Sequence, residues 1–266
     1  MTVKIGSLFA GIGGFELGLE RSWVNAETVW QVEQEKFCQK ILQKHWPKAT
    51  IYNDVRDITK HNVEPVDVLI GGFPCQSISL AGKMEGLENE NKSGLWWEMH
   101  RIASELRPRI IIMENVANII RVGGADVIGS LAQIGYDCEW TIISARQFGA
   151  PHKRERWFCV AYSQRWGLQK QSINSQPSYW KTSKMSQHGI GENVSRRPNQ
   201  NNGNHYGGGY WTKTPNPSPF CRVDDGIPNR VARLKALGNA IVPQCSQWVG
   251  DQIIKSGLLD DLLEDK

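Results

Sequence analysis

The stretch Val66-Asp67-Val68-Leu69-Ile70-Gly71-Gly72-Phe73-Pro74-Cys75-Gln76 decides how this chain folds. Its apolar run stops at two glycines and a proline, the mark of a buried strand ending at a sheet's carboxyl edge. In open α/β sheets that edge is where ligands bind. A cysteine there has a rigid support and partial exposure, the setting of a nucleophilic thiolate. The other reading of a free cysteine is a small buried hydrophobe.

Outward from this stretch, strand-like and helix-like segments alternate from residue 3 to about 162. Strands are expected over Val3–Phe9, Ala26–Glu33, Thr50–Asp54, Val66–Gly71, Arg109–Glu114, Asp137–Ser144 and Arg156–Tyr162. Amphipathic segments separate them, among them Phe15–Arg21, Gln34–His45, Leu95–Leu106 and Ala125–Gly135. This alternation predicts right-handed crossovers and a mostly parallel sheet covered by helices on both faces. At 266 residues and 40% apolar composition, the chain fits one large α/β domain, with or without a small appendage.

The longest apolar runs are far shorter than the ~18–20 residues of a membrane span. Neither a signal-peptide pattern nor a membrane segment is read, and a cytoplasmic, monomeric protein is expected. The six cysteines, Cys38, Cys75, Cys138, Cys159, Cys221 and Cys245, include no Cys-x-x-Cys pair. That spacing argues against a metal site or a disulfide framework and suits a reducing compartment.

The net charge of +4 is unevenly distributed. Between Ser163 and Arg222 stand eight Lys or Arg against Glu192 alone, while the rest of the chain holds 23 basic and 26 acidic residues. The same segment carries Trp166, Tyr179, Trp180, Tyr206, Tyr210, Trp211 and Phe220 among Asn, Gln, Ser and Gly. A passive linker is the bland reading, but linkers are poor in aromatics. Basic and aromatic residues together suit a loop-rich module that grips nucleic acid. The expected organisation is a catalytic and cofactor-binding domain at 1–162 and a small recognition domain at 163–229. A segment at 230–256 returns to the first domain and a tail at 257–266 follows, of which the acidic stretch Asp260–Lys266 is expected to fray.

Three strand ends carry candidate binding groups. The first strand ends in Phe9-Ala10-Gly11-Ile12-Gly13-Gly14, where glycines let backbone approach a ligand at a helix amino terminus. Glu33 ends the second strand, placed for a ribose hydroxyl pair, and Asp54 ends the third, within reach of an adenine amine. Together they suggest an adenosine-containing cofactor. Two further sites converge on Cys75: Glu114-Asn115-Val116 after an apolar strand, and Arg154-Glu155-Arg156 before another. Strand alternation puts both arginines on one face. Thiolate, carboxylic acid and guanidinium fit addition across a pyrimidine double bond. The thiolate attacks carbon 6, the acid serves ring nitrogen 3, and the guanidinium stabilises the carbonyl oxygen.

These motifs, in this order and completed by Gly238-Asn239-Ala240, resemble those of the DNA (cytosine-5)-methyltransferase family, bacterial or phage type with a short recognition segment. The likeness covers about residues 3–162 and 230–256. It implies an S-adenosylmethionine-dependent, Rossmann-like methyltransferase fold acting on double-stranded DNA by flipping out the target cytosine. It implies Cys75 as nucleophile, with Glu114, Arg154 and Arg156 as its catalytic partners. S-adenosylmethionine would contact Phe9, Gly11, Ile12, Gly14, Glu33, Asp54, Val55, Pro74, Leu95 and Asn239. Gln34 stands where the family commonly has a bulky apolar residue, and His152 where it usually has Gln. RNA methylation is the alternative for the same residues. A dinucleotide oxidoreductase built on the glycine turn leaves Cys75, Glu114 and the arginines without a purpose.

Overall fold

The computed structural model of the chain describes residues 2–74, 94–163 and 229–263. Seven strands form one sheet in the order β3-β2-β1-β4-β5-β7-β6. They are β1 (Val3–Leu8), β2 (Ala26–Val32), β3 (Thr50–Tyr52), β4 (Val68–Gly71), β5 (Ile110–Val116), β6 (Tyr136–Ser144) and β7 (Glu155–Ser163). The first five pair in parallel, whereas β7 lies antiparallel between β5 and β6. The expected mostly parallel sheet is therefore observed, with one reversed strand. The order changes direction between β1 and β4, and the crevice beyond such a switch point is where an open sheet binds ligands.

Each central strand is apolar on both sides because each side is covered. Leu69, Ile111 and Met113 enter one core with Met99, Ile102 and Trp157. Val68, Ile70, Ile110 and Ile112 enter the other with Phe15, Leu19 and Val249. Helices α2 (Lys36–His45), α3 (Leu95–Leu106), α4 (Ile119–Val122) and α5 (Gly124–Gln133) follow β2, the 75–93 stretch and β5 along the chain. Helix α1 (Gly14–Ser22) packs against α7 (Pro243–Ser256), fastened by Ser22 Oγ donating to Asp251 at 2.5 Å and Trp23 Nε1 donating to the Gly250 carbonyl at 3.1 Å. Helix α6 (Arg230–Asn239) precedes α7. The return of the chain after residue 229 thus supplies half of one helical layer.

Asp260–Leu263, the described part of the stretch expected to fray, is ordered. Residues Asp260–Leu263 form a short helix, α8, and Leu259 is fully buried while Leu258 and Leu262 pack on the second core. Apolar side chains outweigh the acidic composition here. No helix among the described residues is long and apolar enough to cross a membrane.

One buried acid stands out from the packing. Glu16, on α1, has no solvent exposure, and its Oε1 accepts from Gln31 Nε2 at 3.1 Å. Glu16 Oε2 and Gln31 Oε1, both acceptors, have no partner. Burial pushes the Glu16 carboxyl up to about 7, from an ordinary value of 4.5. Hydrogen bonds from Ser7 and Gln31 oppose that rise and burial prevails, so the carboxyl holds its proton up to about that value. The folded state therefore keeps this proton while the unfolded chain releases it, so stability falls as pH rises from about 4.5 to 7. Replacing Glu16 with Gln should flatten that slope: urea unfolding at pH 5 and pH 8 should show a smaller loss in Glu16→Gln than in the natural chain.

Candidate active site

The carboxyl ends of β1, β2, β4 and β5 open on a single cavity of about 740 Å³, with the start of β7 and helix α6 closing its sides. Its floor begins where β1 stops. Phe9 takes a left-handed conformation at φ 57, and Gly11 another at φ 58. This sharp turn aims the Gly11 N–H at Glu33 Oε2, 2.8 Å away. The other carboxylate oxygen of Glu33 accepts from the Glu35 N–H at 2.8 Å. Two backbone donors thus fix Glu33, and each oxygen keeps a lone pair for a ligand hydroxyl.

Gly14 begins α1 under the returning chain. A Cβ there would lie 2.2 Å from the Ile241 carbonyl oxygen, so only glycine admits this approach. On the far wall, Ala232, Lys235, Ala236 and Asn239 of α6 face the cavity, and Lys235 pairs with Glu35 across it. The size and the donor set suit a nucleoside-sized ligand: a glycine turn, a fixed carboxylate and apolar walls from Phe9, Val55 and Leu95.

The same cavity continues to a second group of residues. Glu114 is buried at the end of β5, with Arg156 Nε 2.9 Å from its Oε1. Arg156 stands opposite Val116 in the antiparallel ladder, so the ion pair is diagonal to the register. Burial raises the Glu114 carboxyl to about 7 despite the opposing charges of Arg156 and Arg154. Beside it, Asn115 Nδ2 donates to the Phe73 carbonyl at 2.9 Å. Phe73 in turn packs on Trp96, their rings 5.1 Å apart. Pro74, the residue before Cys75, lines the cavity together with Glu114 and Arg156. A strand end that presents an acid near neutrality beside a guanidinium can donate a proton and stabilise a developing negative charge.

A family model for the C-5 cytosine-specific DNA methylases matches residues 3–218. The chain belongs to this family.

Type II methyltransferase M.Bsp6I from Bacillus sp. (strain RFL6) is 34% identical over 165 residues, covering 60% of this chain and 52% of that protein. Type II methyltransferase M.CviJI from Paramecium bursaria Chlorella virus IL3A is 36% identical over 163 residues, covering 60% and 43%. The chain spans about half the length of the curated relatives it matches. The crystal structure of S. pombe Dnmt2 methyltransferase shares the fold, with a TM-score of 0.53 at 18% identity over 70% of this chain and 57% of that one.

Within the chain, the expected site residues divide. Phe9, Gly11, Glu33, Val55, Pro74, Leu95, Asn239, Glu114 and Arg156 all line the cavity. Ile12, Gly14, Asp54 and Arg154 are not among its lining residues. Asp54 is engaged in its own turn, accepting from the Arg56 N–H at 3.0 Å and pairing with its guanidinium at 3.6 Å. Cys75 lies outside the described residues, as does the 164–228 part of the expected recognition domain. Sequence reading missed the wall of α6. Its signal is the spacing 232, 235, 236, 239, one face of a helix ending on Asn239.

The contact at Gly14 gives a test. Gly14→Ala must displace the backbone at Ile241, and overpacking of this kind costs about 1–3 kcal/mol. A urea midpoint lowered accordingly, with weaker nucleoside binding, is the expected outcome.

Proposed function

We propose that the chain transfers a methyl group to carbon 5 of cytosine in double-stranded DNA, with Cys75 as nucleophile and S-adenosylmethionine as donor. The observation that carries this reading is the Glu114 carboxyl, held near neutrality beside Arg156 in the cavity that also contains the glycine turn. Bound along Phe9, Gly11, Glu33, Val55, Leu95 and Asn239, S-adenosylmethionine supplies an electrophilic methyl group.

The chain's own residues make carbon 5 a nucleophile. The Cys75 sulfur bonds to carbon 6 of the ring, and the electrons of the carbon 5–carbon 6 double bond move toward ring nitrogen 3. Glu114 gives its proton to that nitrogen, and Arg156 stabilises the carbonyl oxygen at position 2. After carbon 5 is alkylated, a solvent water or hydroxide takes its proton, the carbon 5–carbon 6 double bond re-forms as the sulfur leaves as thiolate, and ring nitrogen 3 returns its proton to Glu114. Carbon 6 is inaccessible in a stacked duplex, so the base must be extruded. Residues 163–229 serve as the recognition domain on this reading, supported by their basic, aromatic composition.

Two measurements test it. Cys75→Ser should abolish methylation of duplex DNA and covalent capture by 5-fluorocytosine oligonucleotides; turnover of transcripts in place of DNA would turn the reading to RNA. The protonated form of Glu114 is the active one, so kcat/KM should decline as pH rises through about 7. Glu114→Gln should remove that decline and lower kcat by roughly 10²- to 10⁴-fold, the usual range for general acid catalysis.

A further inference from the structure

Arg154 and Arg156 stand two residues apart, yet they serve different partners. Arg154 precedes β7 at φ 36, a left-handed conformation that side chains rarely adopt. Alternation along the strand therefore does not extend to it. Its Nη2 donates to the carbonyls of Gly238 and Ala240, 2.7 Å from each. Both carbonyls belong to the carboxyl end of α6, where backbone acceptors lack helical partners and a cation is favoured.

The residue between these carbonyls is Asn239, which lines the cavity. Two residues on, Ile241 presses its carbonyl on Gly14 at the start of α1. Its Cδ1 comes within 3.6 Å of where a Cβ on Gly72 would stand. Residues 238–241 thus form a strap that touches the glycine turn on one side and the strand end beside Glu114 on the other.

We propose that Arg154 is a positioning residue for the nucleoside cofactor: it pins the 238–241 strap, so that Asn239 faces the cavity, and does not touch the target base. The proposal rests on the reading that this cavity binds S-adenosylmethionine. Burial and the neighbouring Arg156 lower the Arg154 pKa, consistent with a guanidinium whose partners are carbonyl oxygens packed against protein. Both bonds leave the one Nη2, whose two N–H groups are fixed in the guanidinium plane; a lysine keeps the charge, but its side chain is one atom shorter and its ammonium stops short of the place between the two carbonyls.

The full chain with Arg154→Lys, compared with Arg156→Lys, separates the roles. For Arg154→Lys, calorimetry with S-adenosylhomocysteine should show Kd raised on the order of 10- to 100-fold, the range for losing charge-assisted hydrogen bonds. The cofactor KM should follow it, with the loss lying in KM rather than kcat. Amide exchange at Ala240 and Cys245, which bond the carbonyls of Ala236 and Val242, should accelerate. Arg156→Lys should do the reverse, lowering kcat while leaving Kd and these amides alone. Guanidinium ion at non-denaturing concentration should restore S-adenosylhomocysteine binding to Arg154→Ala.

A Kd within twofold of the natural chain together with a lower kcat in Arg154→Lys, or unaltered exchange at Ala240 and Cys245, overturns the proposal. Should the natural chain itself bind no S-adenosylhomocysteine, the cofactor reading fails, and amide exchange alone still decides whether Arg154 holds the strap.

Discussion

Parallel register is the constraint from which the site follows. Tyr52 pairs with Val32, Val32 with Leu8, Leu8 with Gly71, and Gly71 with Met113, so β3, β2, β1 and β4 finish in one row and β5 runs three residues past it. The residues immediately beyond that row on β2, β1, β4 and β5 are Glu33, Phe9, Gly72 and Glu114. The Glu33 carboxylate, a glycine turn, the approach to Cys75 and a buried acid are thus neighbours before any of their side chains interact. A slip of one residue in β4 or β5 would turn every side chain of that strand to the wrong face. The apolar residues that fix the two cores therefore also fix the site.

Within that frame, electrostatics decide what Glu114 can do. Two guanidiniums nearby favour its charged form, and exposure would add water to their effect. Burial opposes them and prevails, leaving the carboxyl near 7 and not in the ordinary acidic range. The balance depends on geometry that a strand end supplies: Glu114 is held against the sheet by its own backbone pairing with Phe158, and Arg156 reaches it only along the diagonal. A carboxyl poised near 7 is half-protonated in neutral solution, the condition in which proton donation and recovery are both accessible.

Much of this was legible in the sequence because strands covered on both faces are uninterrupted apolar runs. The run expected over Val3–Phe9 is Val3–Leu8 in the structure, and Arg156–Tyr162 is Glu155–Ser163, differences of a residue at either end. What local patterning does not contain is pairing. Nothing in Tyr136–Ser144 or Glu155–Ser163 announces that the second inserts antiparallel between the first and β5. Asp54 adds a role that its strand-end place does not announce: it accepts from the backbone two residues on, which fixes the carboxylate as two backbone donors fix Glu33. The wall formed by Ala232, Lys235 and Ala236 is not legible in the same way, because small residues and a lone lysine on a helix do not by themselves point to a ligand; in the segment 230–256 only Asn239 is expected at the site.

Arg154 shows most clearly how one backbone torsion redistributes function. In a regular strand, residues two apart share a face, and two cations there would repel each other across one small site. The left-handed torsion at 154 turns its side chain out of that alternation, at a cost that its two carbonyl partners offset. One guanidinium then serves the acid at the end of β5, and the other holds a segment that follows it by more than 80 residues. Closing so long an intervening loop is entropically modest, because the cost grows only with the logarithm of its length. The long-range contact therefore rests on the charge-assisted bonds at Gly238 and Ala240 and not on a short separation along the chain.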